Sequence, residues 1–174
     1  MSDWSIPGYR LRLGSRLDRA LLLKFMNRTY RELHPERNFS HLADTIEQYF
    51  SNQTPLWWVE VAGEEYSLET TNSPFPALQP ISPIACLWMG NAIDQLQGER
   101  IAHIFLLYVH PDHRRRRIGS ALMDHAENWA KQRGDRQISL QVFSHNQPAL
   151  NLYQKLGYQT QSISMYKSLS NLET

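Results

Sequence analysis

The sequence predicts a mixed α/β protein in which one layer of sheet lies between helices. Two observations predict this class. Strand-like and helix-like patterns alternate along the 174 residues, and the segment 101–109 is a strand candidate that is largely apolar on both faces. Such a strand is typical of the centre of a sheet that helices cover on both sides. The length fits one compact domain, and we expect a single domain over residues 1–174.

The first part of the chain is predicted to hold two strands and two helices. Alternating polar and apolar residues predict a strand at 9–13, and apolar residues four apart predict a helix over 16–33. Pro35 cannot continue that helix, and Ser40 is the expected N-cap of the next one. A strand rich in Trp and Val follows at 56–62.

The rest of the chain is predicted to be a long loop followed by alternating strands and helices. Four prolines among Ser and Thr residues predict a loop over Gly63–Pro83. The patterns then predict strands at 84–89, 101–109, 138–143 and 158–169, a helix that starts after Pro111 and ends at Gly134, and a short helix from Pro148 to Gly157.

Charge and composition argue against several kinds of partner and location. The 18 Lys and Arg residues nearly balance the 17 Asp and Glu residues, so we expect neither a nucleic acid nor an acidic membrane as a partner. The longest apolar run, Ile104–Val109, is far below the roughly 20 residues that span a bilayer. The N-terminus lacks the pattern of a secretory leader and Cys86 is alone, so we expect a cytoplasmic protein.

Positive charge is concentrated in one segment, the arginine turn, which we define as Arg114–Ser120. It lies where the apolar strand has ended and a helix begins near Ile118. The first amides of a helix have no partner inside the helix and lie at the positive end of its dipole, so they can bind a pyrophosphate. Gly119 permits a close approach and Ser120 offers a hydroxyl. The alternative for four consecutive arginines is a solvated or nucleic-acid-facing run.

The segment Pro111–Leu122 resembles the acyl-CoA signature of the GNAT superfamily of N-acetyltransferases. That signature reads Gln or Arg, two variable residues, Gly, one variable residue, then Gly or Ala. Arg114 and Gly119 fill its ends, whereas Arg117 stands where the first Gly is usual. Arg117 fits the turn if its backbone is helical, and a requirement for positive φ would count against the phosphate cradle. The resemblance implies a mixed, mostly antiparallel central sheet of six to seven strands flanked by about four helices.

The resemblance also implies acetyl-CoA as the acyl-donating cosubstrate, with no metal. The strand before the arginine turn would splay from its neighbour and pair with pantetheine, and the amide of Val109 would stabilise the oxyanion. The residues implied to contact the cofactor in this part of the chain are Leu107, Tyr108, Val109, Arg114, Arg115, Arg116, Arg117, Ile118, Gly119 and Ser120.

A second segment, Asn146–Tyr158, resembles the family's second signature. By this resemblance Asn146 would hydrogen-bond the pantetheine arm and Tyr153 would approach the cofactor's sulfur. The departing thiolate needs a proton, and a phenol with a pKa of about 10 can deliver one to a thiolate whose conjugate thiol has a pKa of about 8.5. The alternative for Tyr153 is a core aromatic residue.

The general base is less well defined by the sequence. Many family members carry a Glu five residues before the motif Asn, but Gln141 stands there and cannot titrate. His103 matches a catalytic histidine of serotonin N-acetyltransferase, and alternation places it on the same face as Phe105, Leu107 and Val109. Glu60, acting through water, is the second candidate. The alternative for a lone His in an apolar strand is a structural role.

The leading hypothesis is direct transfer of acetyl to a primary amine of a small molecule or peptide, in a ternary complex and without an acyl-enzyme. The alternatives are a non-catalytic acyl-CoA sensor and an Arg-rich nucleic-acid binder. By analogy with the family, the acceptor would approach from the side of the first two helices, and a homodimer would pair through Ser162–Ser168.

Overall fold

A computed structural model describes residues 4–63, 66–68, 78–80 and 82–169. The chain divides into two compact units, residues 1–141 and 142–174, which we describe separately. That the whole chain forms one domain stays a prediction.

The first unit is built on a five-stranded sheet. The strands among the described residues are β1 (Tyr9–Leu13), β2 (Leu56–Val61), β3 (Tyr66–Leu68), β4 (Leu78–Pro80), β5 (Ala85–Ile93), β6 (Arg100–Val109) and β7 (Ile138–Leu140). The sheet has the order β1-β2-β5-β6-β7, and only the pair β6–β7 is parallel. The mixed, mostly antiparallel sheet is therefore confirmed, although it has five strands where six to seven were predicted. A separate antiparallel pair joins β3 to β4.

Four α-helices are described, three of them in the first unit. They are α1 (Arg19–Leu33), which a short 3₁₀ turn precedes at Arg16–Asp18, α2 (Leu42–Tyr49), α3 (Ile118–Gln132) and, in the second unit, α4 (Gln147–Lys155). Ser40 is not the N-cap of α2, because the chain is still turning there and the cap position falls on His41. No helix of the described residues is long and apolar enough to cross a membrane.

Helices cover both faces of the sheet, as predicted. The face that carries Trp58, Trp88, Leu106 and Tyr108 packs against the apolar sides of α1 and α2. Phe25 of α1 lies edge-on to Trp58 and Tyr108, with ring centroids 5.0 and 5.4 Å apart. On the other face Trp57 contacts His125 and Trp129 of α3. Burial on both faces explains why β5 and β6 are apolar over most of their length.

A β-bulge at Phe105 changes which side chains of β6 share a face. Trp88 pairs with Leu106 but the next residue, Met89, pairs with Ile104, so Phe105 is the extra residue. Simple alternation along β6 therefore no longer predicts which side chains before and after the bulge share a face of the sheet. His103 lies opposite Gly90 on the α1–α2 side, whereas Leu107 lies opposite Leu87 on the α3 side. The predicted common face for His103, Leu107 and Val109 is wrong for this reason.

Three other predictions about local structure are wrong. The strand expected at 138–143 ends at Leu140, because β6 and β7 pair over three residues only. The segment 158–169 is not a strand, since it has no neighbouring strand within the described part of its unit to which it could hydrogen-bond. Gly63–Pro83 is not wholly loop, because it contains β3 and β4, and most of the rest of it lies outside the described residues.

Candidate active site

The carboxyl end of β6 presents an open edge of backbone. Its pairing with β7 stops at Ile104, so residues 105–109 have no strand on that side among the described residues. The amide of His110 donates to the carbonyl of Ile84 (2.8 Å) while Val109 lies opposite Ala85, so Val109 belongs to a non-hydrogen-bonded antiparallel pair. Its own N–H and C=O therefore point away from β5, toward the open edge, and the same alternation directs those of Leu107 there.

The arginine turn connects this edge to the start of α3. A short 3₁₀ turn at Pro111–His113 follows β6, and α3 begins at Ile118. The first α-helical hydrogen bond runs from the amide of Ala121 to the carbonyl of Arg117 (3.0 Å). The amides of Ile118, Gly119 and Ser120 consequently point out of the helix end, where the helix dipole is positive. This arrangement fits an anion with several oxygens, such as a pyrophosphate.

The backbone of the arginine turn adopts two left-handed residues. Arg115 has φ +62° and Arg117 has φ +66°, so the ordinary helical backbone considered for Arg117 is wrong. A positive φ at Arg117 was expected to count against the phosphate cradle, but arginine adopts this conformation here, and phosphate binding by the turn stays a prediction. Left-handed residues alternate with Arg116 and Ile118, which are not left-handed, and such alternation points successive amides into one concavity. Each left-handed arginine costs about 1–2 kcal/mol.

The four arginine side chains divide into two pairs. Arg114 donates from Nε to the carbonyl of Val109 (2.8 Å) and from Nη2 to Glu32 (2.6 Å). Arg116 donates to the hydroxyl of Tyr9 (3.0 Å). Within the part of the chain that the structure describes, the side chains of Arg115 and Arg117 are exposed and make no hydrogen bond or ion pair. The first pair holds the turn in place, and the second pair is available to an anionic ligand.

His103 is half-buried, and its hydrogen bonds indicate its tautomer. Its Nδ1 lies 2.8 Å from the hydroxyl of Ser139, and that hydroxyl in turn donates to the carbonyl of Ala102 (3.3 Å). Because Ser139 has one hydrogen to donate, its oxygen accepts from Nδ1–H, which leaves Nε2 with the lone pair. Burial lowers the pKa of His103 below its usual 6.5, so the imidazole is neutral at pH 7.

Glu60 is held in an ion-pair network on β1 and β2. Its Oε2 accepts from Arg10 (2.9 Å) and its Oε1 from Arg12 (2.7 Å). Arg12 also pairs with Asp18 at 3.4 Å. Glu60 itself is buried. Each of its two oxygens thus accepts from an arginine, so a water that bridged Glu60 to a substrate would compete with these two ion pairs.

The second unit contains the two residues of the second signature. Asn146 is the N-cap of α4, and its side-chain oxygen accepts from the amide of Ala149 (3.4 Å). Tyr153 lies in the last turns of the same helix, with its ring centroid 5.8 Å from that of Tyr158. Burial raises the pKa of Tyr153 to about 12, so the phenol keeps its proton at neutral pH.

Sequence reasoning missed three side chains of the first unit. Glu32 of α1 binds both Tyr108 and Arg114, Tyr9 lies between His113 (2.8 Å) and Arg116, and Ser139 fixes His103. Glu32 and Tyr9 are far in sequence from their partners, so no local pattern marks them. Cys86 is fully buried and burial raises its thiol pKa, which agrees with a core role. The described residues contain no group of three or more His, Cys, Asp or Glu that could hold a metal.

Comparison with known proteins identifies the family. The acetyltransferase (GNAT) family matches residues 21–158, a range that includes all but the first two residues of α1, the open edge of β6, the arginine turn and α4. The chain belongs to this family. The predicted family is thereby confirmed. That the chain acts as an N-acetyltransferase is a proposal. The positions of the catalytic and cofactor-binding residues stay predictions.

Individual relatives of this GNAT-family chain share part of its length. An uncharacterized N-acetyltransferase of Methanocaldococcus jannaschii is 34% identical over 49% of this chain and 37% of its own length. Another, from Bacillus subtilis, is 29% identical over 47% of this chain and 52% of its own length. The chain therefore spans about a third to a half of these two relatives. A predicted acetyltransferase of Clostridium acetobutylicum, solved with acetyl-CoA, has a TM-score of 0.68 at 19% identity, covers 92% of this chain and 96% of its own, and shows the same fold.

Proposed function

We propose that this protein transfers an acetyl group from acetyl-CoA to a primary amine of a small molecule or peptide, directly and in a ternary complex. The observation that carries the proposal is that the open edge of β6 leads directly into the arginine turn. The open edge of β6 ends at Val109, and the unpaired amides of the arginine turn begin within ten residues of it. An extended, amide-bearing arm that ends in a pyrophosphate is the kind of ligand that such a surface fits.

The cofactor would be held mainly by backbone groups. The N–H and C=O of Leu107 and the N–H of Val109 would pair with the amides of pantetheine, and the amides of Ile118, Gly119 and Ser120 would bind the pyrophosphate. The exposed guanidinium groups of Arg115 and Arg117 would add charge-assisted hydrogen bonds. Asn146 is proposed to bind the pantetheine arm.

Three groups of the chain would perform the chemistry. The amide of Val109 would stabilise the negative charge that develops on the thioester oxygen, and such preorganised donors contribute about 3–4 kcal/mol each. Tyr153, protonated at neutral pH, would supply the proton that the leaving thiolate needs. His103 would accept a proton from the ammonium group of the acceptor through the lone pair of Nε2, and the neutral amine that results would attack the thioester.

His103 would act through water. Its partner on β5, Gly90, lies five residues from the partner of Val109 and three from that of Leu107, so at about 3.3 Å per strand residue His103 lies about 17 Å from Val109 and about 10 Å from Leu107. A direct proton transfer needs heavy atoms within about 3 Å, so bridging waters would carry the proton. The amide of Leu107 faces the same edge as that of Val109 and is nearer to His103. We propose that the acceptor approaches on the α1–α2 side, because His103 faces that side.

Release of the CoA thiol from acetyl-CoA over a panel of amines tests this function. The panel would contain polyamines, aminoglycosides, arylalkylamines and peptides with a free α-amine or a lysine. We expect amine-dependent thiol release with at least one class and the N-acetylated amine as the product. Thiol release that needs no amine, or that passes through a stable acetyl-enzyme, would contradict direct transfer.

A non-catalytic acyl-CoA sensor is the second candidate. It is favoured by one observation on the general base: Gln141 cannot titrate, and both oxygens of Glu60 are occupied by arginines. Tight binding of acetyl-CoA in calorimetry, without turnover of any amine in the panel, would support the sensor.

A further inference from the structure

Glu32 lies at the end of a helix that is unfavourable for a negative charge. It belongs to the last turn of α1, where the carbonyl end of the helix dipole repels a negative charge. Its side chain is 39% exposed. A carboxylate in this position is stabilised by its partners, and those partners all belong to the end of β6 and the arginine turn.

Glu32 binds two side chains at once. Its Oε1 accepts from the hydroxyl of Tyr108 (3.0 Å) and its Oε2 from Nη2 of Arg114 (2.6 Å). The guanidinium carbon of Arg114 also lies 5.9 Å from the centre of the Tyr108 ring. Burial, together with the hydrogen bond to Glu32, raises the pKa of Tyr108 to about 12, so the phenol keeps the proton that it donates.

These two contacts reach both peptide groups that flank Val109. The carbonyl of Tyr108 and the amide of Val109 form one peptide plane, and the buried side chain of Tyr108 anchors it. The carbonyl of Val109 belongs to the next plane and accepts from Nε of Arg114 (2.8 Å). Pairing with β5 directs the amide of Val109 toward the open edge, and through Tyr108 and Arg114 a single carboxylate supports both peptide planes that hold it there.

We propose that Glu32 is a positioning residue that orients the backbone amide of Val109 for oxyanion stabilisation. This inference rests on the proposed function, because it assigns Val109 the role of the donor. It also means that Arg114, the first arginine of the acyl-CoA signature, binds Glu32 and the carbonyl of Val109 instead of a phosphate. Glu32 acts through Tyr108 and Arg114 and touches no reacting atom.

The test is Glu32→Gln in the full chain, with steady-state kinetics on acetyl-CoA and an amine that the wild type accepts. Glutamine is neutral, and when its oxygen accepts from Arg114 its NH2 group faces Tyr108, so the charge and the bond that Tyr108 donates are both lost. We expect kcat to fall about tenfold, because a hydrogen bond to a charged group is lost, while the KM for acetyl-CoA changes less than threefold. Tyr108→Phe and Glu32→Gln should be non-additive in kcat, since each breaks the same link.

Glu47→Gln is the matched control. Glu47 of α2 pairs with Arg19 in an exposed ion pair that does not involve β6 or the arginine turn, so its kcat should equal that of the wild type. The inference is overturned if Glu32→Gln keeps kcat within twofold of wild type below its melting temperature, or if Glu47→Gln loses as much. A wild type that binds no acetyl-CoA would instead overturn the proposed function.

Discussion

Replacement of Arg117 by glycine should stabilise the protein. Arg117 has φ +66°, and an L-residue pays about 1–2 kcal/mol to adopt the left-handed conformation. Glycine adopts it without that cost but loses about 0.4–1 kcal/mol more in conformational entropy on folding. The difference predicts that Arg117→Gly raises the free energy of unfolding by about 0.5–1 kcal/mol. For a chain of this length, that corresponds to about 2–3 °C in melting temperature.

The assay is urea denaturation of the ligand-free protein, compared across a matched set of variants. Arg117→Ala keeps a Cβ in the left-handed region and should gain nothing. Arg115→Gly, at φ +62°, should also gain stability. Arg116→Gly should lose about 1–2 kcal/mol, because Arg116 has no positive φ and its hydrogen bond to Tyr9 is lost. Arg117→Gly with a stability at or below that of Arg117→Ala would refute the assignment of strain to this residue.

Three further predictions concern catalysis and the core. Tyr153→Phe should lower kcat roughly 100-fold with unchanged circular dichroism, because only the proton donor is removed. His103→Ala should abolish the acidic limb of the pH–rate profile, a limb that we expect below pH 6.5 because burial lowers the pKa of His103. Gly90→Ala should cost about 1–3 kcal/mol, since its Cβ would come within 3.0 Å of three ring atoms of Phe105.

Each of these predictions has a defined contrary result. Full turnover by Tyr153→Phe would contradict the role of Tyr153 as the general acid. An unchanged pH–rate profile for His103→Ala would contradict the role of His103 as the general base. Gly90→Ala combined with Phe105→Leu should recover part of the lost stability, because the ring that obstructs the new methyl group is gone. A double variant that is no more stable than Gly90→Ala alone would contradict the steric explanation.

The stability of the protein should also fall as the pH falls below about 6.5. Burial lowers the folded-state pKa of His103 and of His125. Between that lowered pKa and the unfolded value near 6.5, the unfolded chain binds more protons than the folded one, so acid favours unfolding. His125→Gln should reduce the loss of unfolding free energy between pH 7.5 and 5.5. An unchanged pH dependence would show that His125 does not contribute.

The elements that the sequence predicts best are those in which one physical signal decides the structure. Apolar residues four apart predict α1 because that helix buries one side against the sheet, and the doubly apolar 101–109 predicts a central strand because both of its faces are covered. The match of the two signatures follows from local residue order, and the roles of their residues stay predictions. These signals are short-range, and a single sequence contains them.

The features that escape the sequence depend on contacts between distant segments. The bulge at Phe105 arises where β6 meets β5 beside Gly90, and it reverses the face that simple alternation gives Leu107. The left-handed backbone of Arg115 and Arg117 runs against the preference of arginine, so no propensity predicts it. Glu32 reaches its partners across 76 and 82 residues.

The central claim is that the arginine turn and the open edge of β6 bind acetyl-CoA through their backbone. A crystal structure of the complex tests it most directly. We predict pyrophosphate oxygens within about 3 Å of the amides of Ile118, Gly119 and Ser120, and pantetheine hydrogen-bonded to Leu107 and Val109. A pyrophosphate bound only by arginine side chains, or a pantetheine arm that lies away from the edge of β6, would contradict the account.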